Sequence, residues 1–250
     1  MPATLWRSAM GTRARSGTTD LWQEDGVIPR VFHQIWINDA SPTLPKEYAA
    51  YASAWLELHP GWEYRLWNLD NVDFPLRRPE LIPRSKSYSQ IADILRLEVL
   101  YRYGGVYIDT DFEPFKCIEP LLGEVSMFLC SEDGASFSSG IVGAEPSMPL
   151  VLRLLEGMPE RIGIEAPNLE TGPHYITRNL LTEGFGDALT LFPTKYFYPY
   201  GYNELHRREE HFPDAYAAHR YAYAWATTSS LAGKIRRRIR KIARAAMGRD

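Results

Sequence analysis

The chain has 250 residues, of which 45% are hydrophobic and 24% charged, and a formal net charge of −3. That is ordinary globular composition, long enough for one α/β domain with a sizeable core. Only two cysteines occur, Cys117 and Cys130, with no CxxC pair. A thiolate zinc site and a disulfide framework are therefore not expected, and a reducing, cytoplasmic setting is the simpler reading. Charge is unevenly spread. From Lys234 to Asp250 there are 8 Lys or Arg and 1 acidic residue, which leaves 20 basic against 30 acidic elsewhere. An acidic body with a basic tail is not a nucleic-acid-binding profile.

In chain order, residues 1–27 read as a flexible polar leader with no continuous apolar run, so a secretory signal is not expected. "IPRVFHQIWIND" begins a buried first strand around Val31, Phe32, Ile35 and Ile37. "EYAAYASAWLELHPGW" carries apolar residues at helical spacing and stops at Pro60-Gly61. "EYRLWNLDN" reads as a second strand. The clearest helix is "SKSYSQIADILRLEVLYRYGG", capped by Ser87 or Ser89, striped by Ile91, Ile94, Leu95, Val99 and Leu100, and ended by Gly104-Gly105. "VYID" is then a short buried strand. Alternating strands and helices predict an α/β fold with a largely parallel sheet. Further on, "MFLCSED" and "GIVGAE" read as strands, "PLVLRLLEGM" and "PHYITRNLLTEGF" as helices, and "ALTLFPTKYFYPYGYN" as a strand followed by an aromatic loop. No stretch reaches the apolar length of a membrane span.

The segment "YGGVYIDTDF" ends a buried strand in two aspartates, Asp109 and Asp111. Residues two apart on a strand share a face, and in parallel sheets ligands gather at the carboxyl ends of strands. Two neighbouring carboxylates repel unless a cation lies between them, and hard oxygen donors suit Mn²⁺ or Mg²⁺. Alone, such a pair is also the mark of a solvated acidic turn. Asp93 and Arg96 stand at i and i+3 on the preceding helix, either as a surface ion pair or facing the same cleft as the aspartates.

"QIADILRLEVLYRYGGVYIDTDF" resembles the DXD region of glycosyltransferase family 32, which includes yeast mannosyltransferases and bacterial capsular sugar transferases. Large glucosylating clostridial toxins share a related pattern. "IPRVFHQIWI", "ETGPHYIT" and "AAHRYAYAW" resemble the family's first strand, TGP motif and C-terminal His motif, so that the likeness runs from about Ile28 to Trp225. It implies a GT-A fold within residues 28–230, with a nucleotide-sugar half at about 28–116 and an acceptor half at about 117–230. It also implies a retaining transfer from a UDP- or GDP-sugar to a glycan or glycolipid, with Mn²⁺ or Mg²⁺. Carried over, Asp109 and Asp111 bind metal and diphosphate, and Asp93 and Arg96 touch the donor sugar. Gln34, Trp36 and Asn68 lie at the base and ribose, Trp36 either stacking on the base or packed in the core. His219 and Trp225 close over the diphosphate, with His219 a metal ligand. Two departures stand out: Ala224 where the family often has Ser, and Ser139, on the sugar side, where it often has Asn.

Tyr200 and Tyr202 in the aromatic loop are either packed or lining the acceptor cleft. In the tail, Leu231, Ile235, Ile239, Ile242 and Ala246 recur on one helical face among basic residues. Residues 231–250 therefore read as an amphipathic helix, docked on the acidic body or lying on an anionic membrane, which would make the protein peripheral at the inner face. Rival readings are a haloacid-dehalogenase-like phosphatase, whose pattern wants Thr where Glu113 stands, and a non-catalytic sugar- or membrane-binding protein on a transferase fold.

Overall fold

The structure is a computed structural model that describes residues 27–38, 41–158, 162, 164–184 and 188–222. All but Val27 of the expected leader 1–27, together with Trp225 and the basic tail, lies outside the described residues. Among the described residues eight strands occur: β1 (Val31–Ile35), β2 (Glu63–Trp67), β3 (Gly105–Ile108), β4 (Phe112–Pro114), β5 (Met127–Ser131), β6 (Phe137–Ala144), β7 (Leu189–Phe192) and β8 (Ala217–His219). The helices are α1 (Lys46–Leu58), α2 (Tyr88–Tyr103), α3 (Glu119–Leu122), α4 (Pro149–Gly157), α5 (Pro167–Glu170), α6 (Pro173–Glu183) and α7 (Thr194–Phe197). Six strands form one sheet in the order β2-β1-β3-β6-β5-β7, and β4 pairs with β8 in a small separate sheet. Within the large sheet β2, β1, β3, β5 and β7 run one way and only β6 is reversed. This is the expected α/β fold with a mostly parallel sheet, and the sheet continues across the expected division near residue 116.

Strand alternation sorts the core into two layers. On β3, Tyr107 faces α2, α4 and α6, whereas Val106 and Ile108 face the layer built on Phe32, Trp55 and Phe112. The helix that carries the site is strongly specified. The Ser87 side chain accepts from the Gln90 N–H, and ten of the sixteen residues of α2 are buried; such a cap is worth about 1 kcal/mol. Gly104 ends α2 at φ 62° and Gly105 follows at φ 93°, where a Cβ would stand 2.6 Å from Val31 Cγ1. Both the left-handed turn and the close approach of β3 to β1 call for glycine. His33 closes this junction from β1: its Nε2 bonds the Gly104 carbonyl at 2.9 Å and its Nδ1 accepts from Trp67 Nε1 at 3.0 Å. The carboxyl ends of β1, β2 and β3 thus lie together at one end of the sheet, with the start of β6 beside them.

Candidate active site

Strand β3 ends at Ile108, and Asp109 and Asp111 occupy the turn that leads into β4. The Phe112 N–H donates to the Asp109 carbonyl at 3.2 Å, so a turn, rather than strand alternation, brings the two carboxylates to one side. Neither carboxylate is bare, in contrast to the expectation from sequence. Asp109 Oδ1 accepts from the Tyr107 hydroxyl at 2.6 Å and from Arg96 Nη2 at 3.1 Å. Asp111 Oδ1 lies 3.1 Å from His219 Nε2, and its Oδ2 accepts from the Ala222 N–H at 2.9 Å. The β4–β8 pairing sets Phe112 opposite His219, and the two rings stack 4.8 Å apart.

Arg96 is buried, which excludes the surface ion pair. Its Nη1 lies 3.2 Å from Asp93 Oδ1, its Nη2 is shared between Tyr107 and Asp109, and its Cζ stands 4.3 Å above the Tyr107 ring. One guanidinium therefore ties α2 to the aspartate turn. The Thr171 hydroxyl donates to Asp93 Oδ2 at 2.8 Å. Burial pushes the Asp93 carboxyl up to about 6, against the pull of Arg96 and Thr171. Burial likewise raises Asp109, although Arg96 opposes it. Asp111 goes the other way: burial acts upward, but His219 and the Ala222 N–H together hold it below the usual range. Burial acts against the charge on His219, yet Asp111 and its neighbouring carboxylates raise it above an ordinary histidine. The electrostatic character is a buried cation, Arg96, among carboxylates with unequal proton affinities.

These residues fit a divalent ion. Ligand atoms of Asp109, Asp111 and His219 lie within 4.8 Å of one another. Arg96 and Tyr107 engage Oδ1 of Asp109, and among the described residues no hydrogen bond reaches its Oδ2. A Cβ on Gly140 would stand 3.1 Å from that Oδ2 and 2.8 Å from the Tyr198 hydroxyl, so glycine keeps this side clear. The two carboxylates are the hard oxygen donors that suit Mn²⁺ or Mg²⁺, with the His219 imidazole beside them.

The other expected residues fall in several places. Gln34 is buried beside the pair; its Nε2 reaches the Asp109 carbonyl at 3.4 Å and its Oε1 accepts from the Tyr64 hydroxyl at 2.6 Å. Trp36 is half-buried just past β1, its ring edge-on to Tyr48, which leaves room for either of its readings. Asn68 follows β2 and its side chain accepts from the Asp70 N–H at 2.7 Å, a turn contact. Ser139 lines a small enclosed space with Asp93, Arg96 and Thr171. The loop tyrosines separate: Tyr200 is buried and accepts from Arg220 Nη1 at 3.2 Å, whereas Tyr202 is 61% exposed. Tyr200 therefore sits in the packed layer with Phe212 and Tyr221. Tyr107 and Gly140 escaped notice in the sequence, and Thr171, though part of the quoted TGP motif, was not linked to Asp93. A tyrosine in a buried strand reads as core, and the pairing of Thr171 with Asp93 spans 78 positions.

Residues 45–128 match the family described as the glycosyltransferase sugar-binding region containing DXD motif. Over this third of the chain the sequence is similar to that region. The matched segment includes Asp93, Arg96, Asp109 and Asp111 and stops before Ser139, Thr171 and His219. Over 141 residues the chain is 25% identical to inositol phosphoceramide mannosyltransferase 3 of Schizosaccharomyces pombe, covering 54% of this chain and 38% of that protein. It is 30% identical to inositol phosphoceramide mannosyltransferase 2 of the same yeast, covering 52% of this chain and 39% of that one. The chain thus spans about two fifths of the length of these yeast relatives. An uncharacterized glycosyltransferase of Acanthamoeba polyphaga mimivirus is 26% identical over 80% of this chain and 84% of its own. Among solved structures, the PaToxG glycosyltransferase shares the fold at a TM-score of 0.52 and 18% identity, over 63% of this chain and 70% of that one.

Proposed function

We propose that this chain is a metal-dependent, retaining glycosyltransferase that moves a sugar from a UDP- or GDP-linked donor to a hydroxyl of a glycan or glycolipid. The observation that carries this reading is the joining of Asp109, Asp111 and His219 into one ligand group, tied through Arg96 to Asp93 at the carboxyl end of the sheet. Asp109, Asp111 and His219 would hold a divalent ion, which when bound supplies Lewis-acid neutralisation of the leaving diphosphate. Arg96 is a fixed cation whose place is set before substrate arrives, so it costs no reorganisation during reaction. Asp93 retains lone pairs for sugar hydroxyls while Thr171 and Arg96 fix its plane. Gln34, Trp36 and Asn68, at the ends of β1 and β2, would contact the nucleotide. Ser139 would contact the sugar side, and Trp225, outside the described residues, keeps its expected role with His219 at the diphosphate. In the proposed reaction the bond between the anomeric carbon and the phosphate oxygen breaks. The acceptor oxygen bonds the same carbon from the same face, and its proton passes to the departing phosphate.

The names of the yeast relatives favour mannose as the first donor sugar to try and an inositol phosphoceramide type of glycolipid as the first acceptor. The basic tail, residues 231–250, would hold the protein at an anionic membrane face where such acceptors lie; among the described residues no helix is long and apolar enough to cross a membrane. The reading is tested by incubating the protein with a panel of UDP- and GDP-sugars and Mn²⁺, with and without EDTA. Release of nucleoside diphosphate that EDTA abolishes and Mn²⁺ or Mg²⁺ restores is expected. Undiminished release in EDTA would remove the metal. Sedimentation with anionic vesicles at low salt, compared before and after removal of residues 231–250, tests the tail; recovery of both forms in the supernatant would remove the membrane.

A further inference from the structure

Asp93 is held from two directions. Arg96 takes Oδ1 from within the same helix, and Thr171 takes Oδ2 from a segment 78 positions along the chain. A carboxylate held at one oxygen alone can still swing about that contact, so the Thr171 bond to Oδ2 is what fixes its plane. Thr171 is itself fixed. It closes α5, its N–H donating to the Pro167 carbonyl at 3.0 Å. The preceding residue, Glu170, is fully buried and accepts from the backbone N–H groups of Ile164 and Glu165 at 2.5 Å each. Its other oxygen accepts from Gln90 Nε2 at 2.7 Å. Gln90 and Asp93 stand at i and i+3 on α2, so successive residues of α5 dock on successive turns of that helix. Thr171 Oγ1 has two acceptors within reach, Asp93 Oδ2 at 2.8 Å and the Pro167 carbonyl at 3.2 Å. The nearer one is a carboxylate, and the charge-assisted bond is the stronger.

We propose that Thr171 is a positioning residue for the donor-sugar site, holding Asp93 in the orientation that pairs with Arg96, with Glu170 and Gln90 holding Thr171 in turn. The inference rests on the glycosyltransferase reading above. The plain alternative is that Thr171 only terminates α5. That cap is made by its backbone N–H at 3.0 Å, which any residue other than proline supplies, with the hydroxyl only a longer second contact at 3.2 Å, so the coupling of the side chain to Asp93 separates the two roles.

The test uses the full chain with Mn²⁺ and the UDP- or GDP-sugar that the wild type turns over. Thr171→Val keeps the shape and the backbone cap and deletes the hydroxyl; Thr171→Ser restores it. Thr171→Val is expected to lower kcat/KM for the nucleotide sugar about tenfold, in the range that a hydrogen bond to a charged group carries. Affinity for the free nucleoside diphosphate, which lacks the sugar, should stay within about twofold, and Thr171→Ser should recover most of the loss. Should Thr171→Val fold poorly, the same comparison is made on donor affinity in an Asp93→Asn background. There, adding Thr171→Ala should cost much less than it does in the wild type, because the charged partner is already gone. Equal losses for nucleotide sugar and nucleoside diphosphate, no loss at all, full additivity with Asp93→Asn, or failure of Ser to rescue would each overturn the proposal. A wild type that turns over no nucleotide sugar would overturn the parent reading and this inference together, whereas an active wild type with an indifferent Thr171→Val overturns only the inference.

Discussion

Replacing Arg96 probes the buried charge cluster directly. Its guanidinium spans three partners at once: Asp93 at 3.2 Å, Asp109 at 3.1 Å and the Tyr107 hydroxyl at 3.2 Å. A lysine ammonium keeps the charge but is a point donor on a flexible stem and cannot fork across two carboxylates. Arg96→Lys therefore forfeits at least one charge-assisted bond, about 1.5–3 kcal/mol, and part of the stacking on Tyr107, about 0.5–1 kcal/mol. Arg96→Met goes further and leaves two carboxylates buried with no cation, at about 3–5 kcal/mol. The sign of its pH dependence is distinctive. Without Arg96 the carboxyls of Asp93 and Asp109, already raised by burial, rise further. A carboxyl with a raised folded pKa is most stabilising when protonated, and that contribution is lost as pH rises through the folded value. The stability deficit of Arg96→Met should thus be larger at pH 8 than at pH 5. Urea denaturation of wild type and both variants at the two pH values measures it, alongside kcat/KM for donor hydrolysis. A deficit independent of pH, together with Arg96→Lys matching wild type in midpoint and turnover, would refute the tie between α2 and the aspartate turn.

Three further outcomes follow from the geometry. Gly140→Ala should weaken Mn²⁺ binding by about tenfold or more in calorimetry, since the new methyl presses on Asp109 Oδ2 at 3.1 Å; an unchanged affinity would place the ion elsewhere. Asp111→Asn should abolish turnover and lower stability. Asp111 is paired with His219 and the Ala222 N–H, so relief of carboxylate repulsion does not compensate, and a raised melting temperature would contradict this assignment. Burial lowers His33 to about 4. The unfolded chain therefore takes up a proton that the fold resists as pH falls from 6.5 towards 4, and stability is lost by up to about 3 kcal/mol across that window. Asp93, raised to about 6, contributes in the opposite sense over nearly the same range, so the measurement is the difference between wild type and His33→Gln. A difference that does not change with pH would contradict a buried neutral His33.

Local signals made α2 legible. Its cap, apolar spacing and terminal glycines all lie within one stretch, and the structure places the cap at Ser87 and the stop at Gly104. Asp93, Arg96, Asp109 and Asp111 were legible for the same reason, since they fall within nineteen positions of one helix–turn–strand block. The partners that complete the site were not. Strands β4 and β8 have three residues each, too short for a periodic signal, and they pair across about a hundred positions. His219 was found by resemblance alone. Tyr107 and Thr171 are neutral residues whose roles arise from what faces them, which only tertiary packing decides. The aspartates read as bare because the groups that satisfy Asp111 come from the far end of the chain.

The central claim is that Asp109 and Asp111 hold a divalent ion for nucleotide-sugar cleavage. Its most direct test is release of nucleoside diphosphate from a panel of UDP- and GDP-sugars in Mn²⁺, measured for wild type, Asp109→Asn and Asp111→Asn at matched folded concentration. The account predicts release by the wild type from at least one donor and a loss of a hundredfold or more, on the order of 3 kcal/mol, in each variant. No release by the wild type from any donor, or undiminished release by either variant, would contradict it.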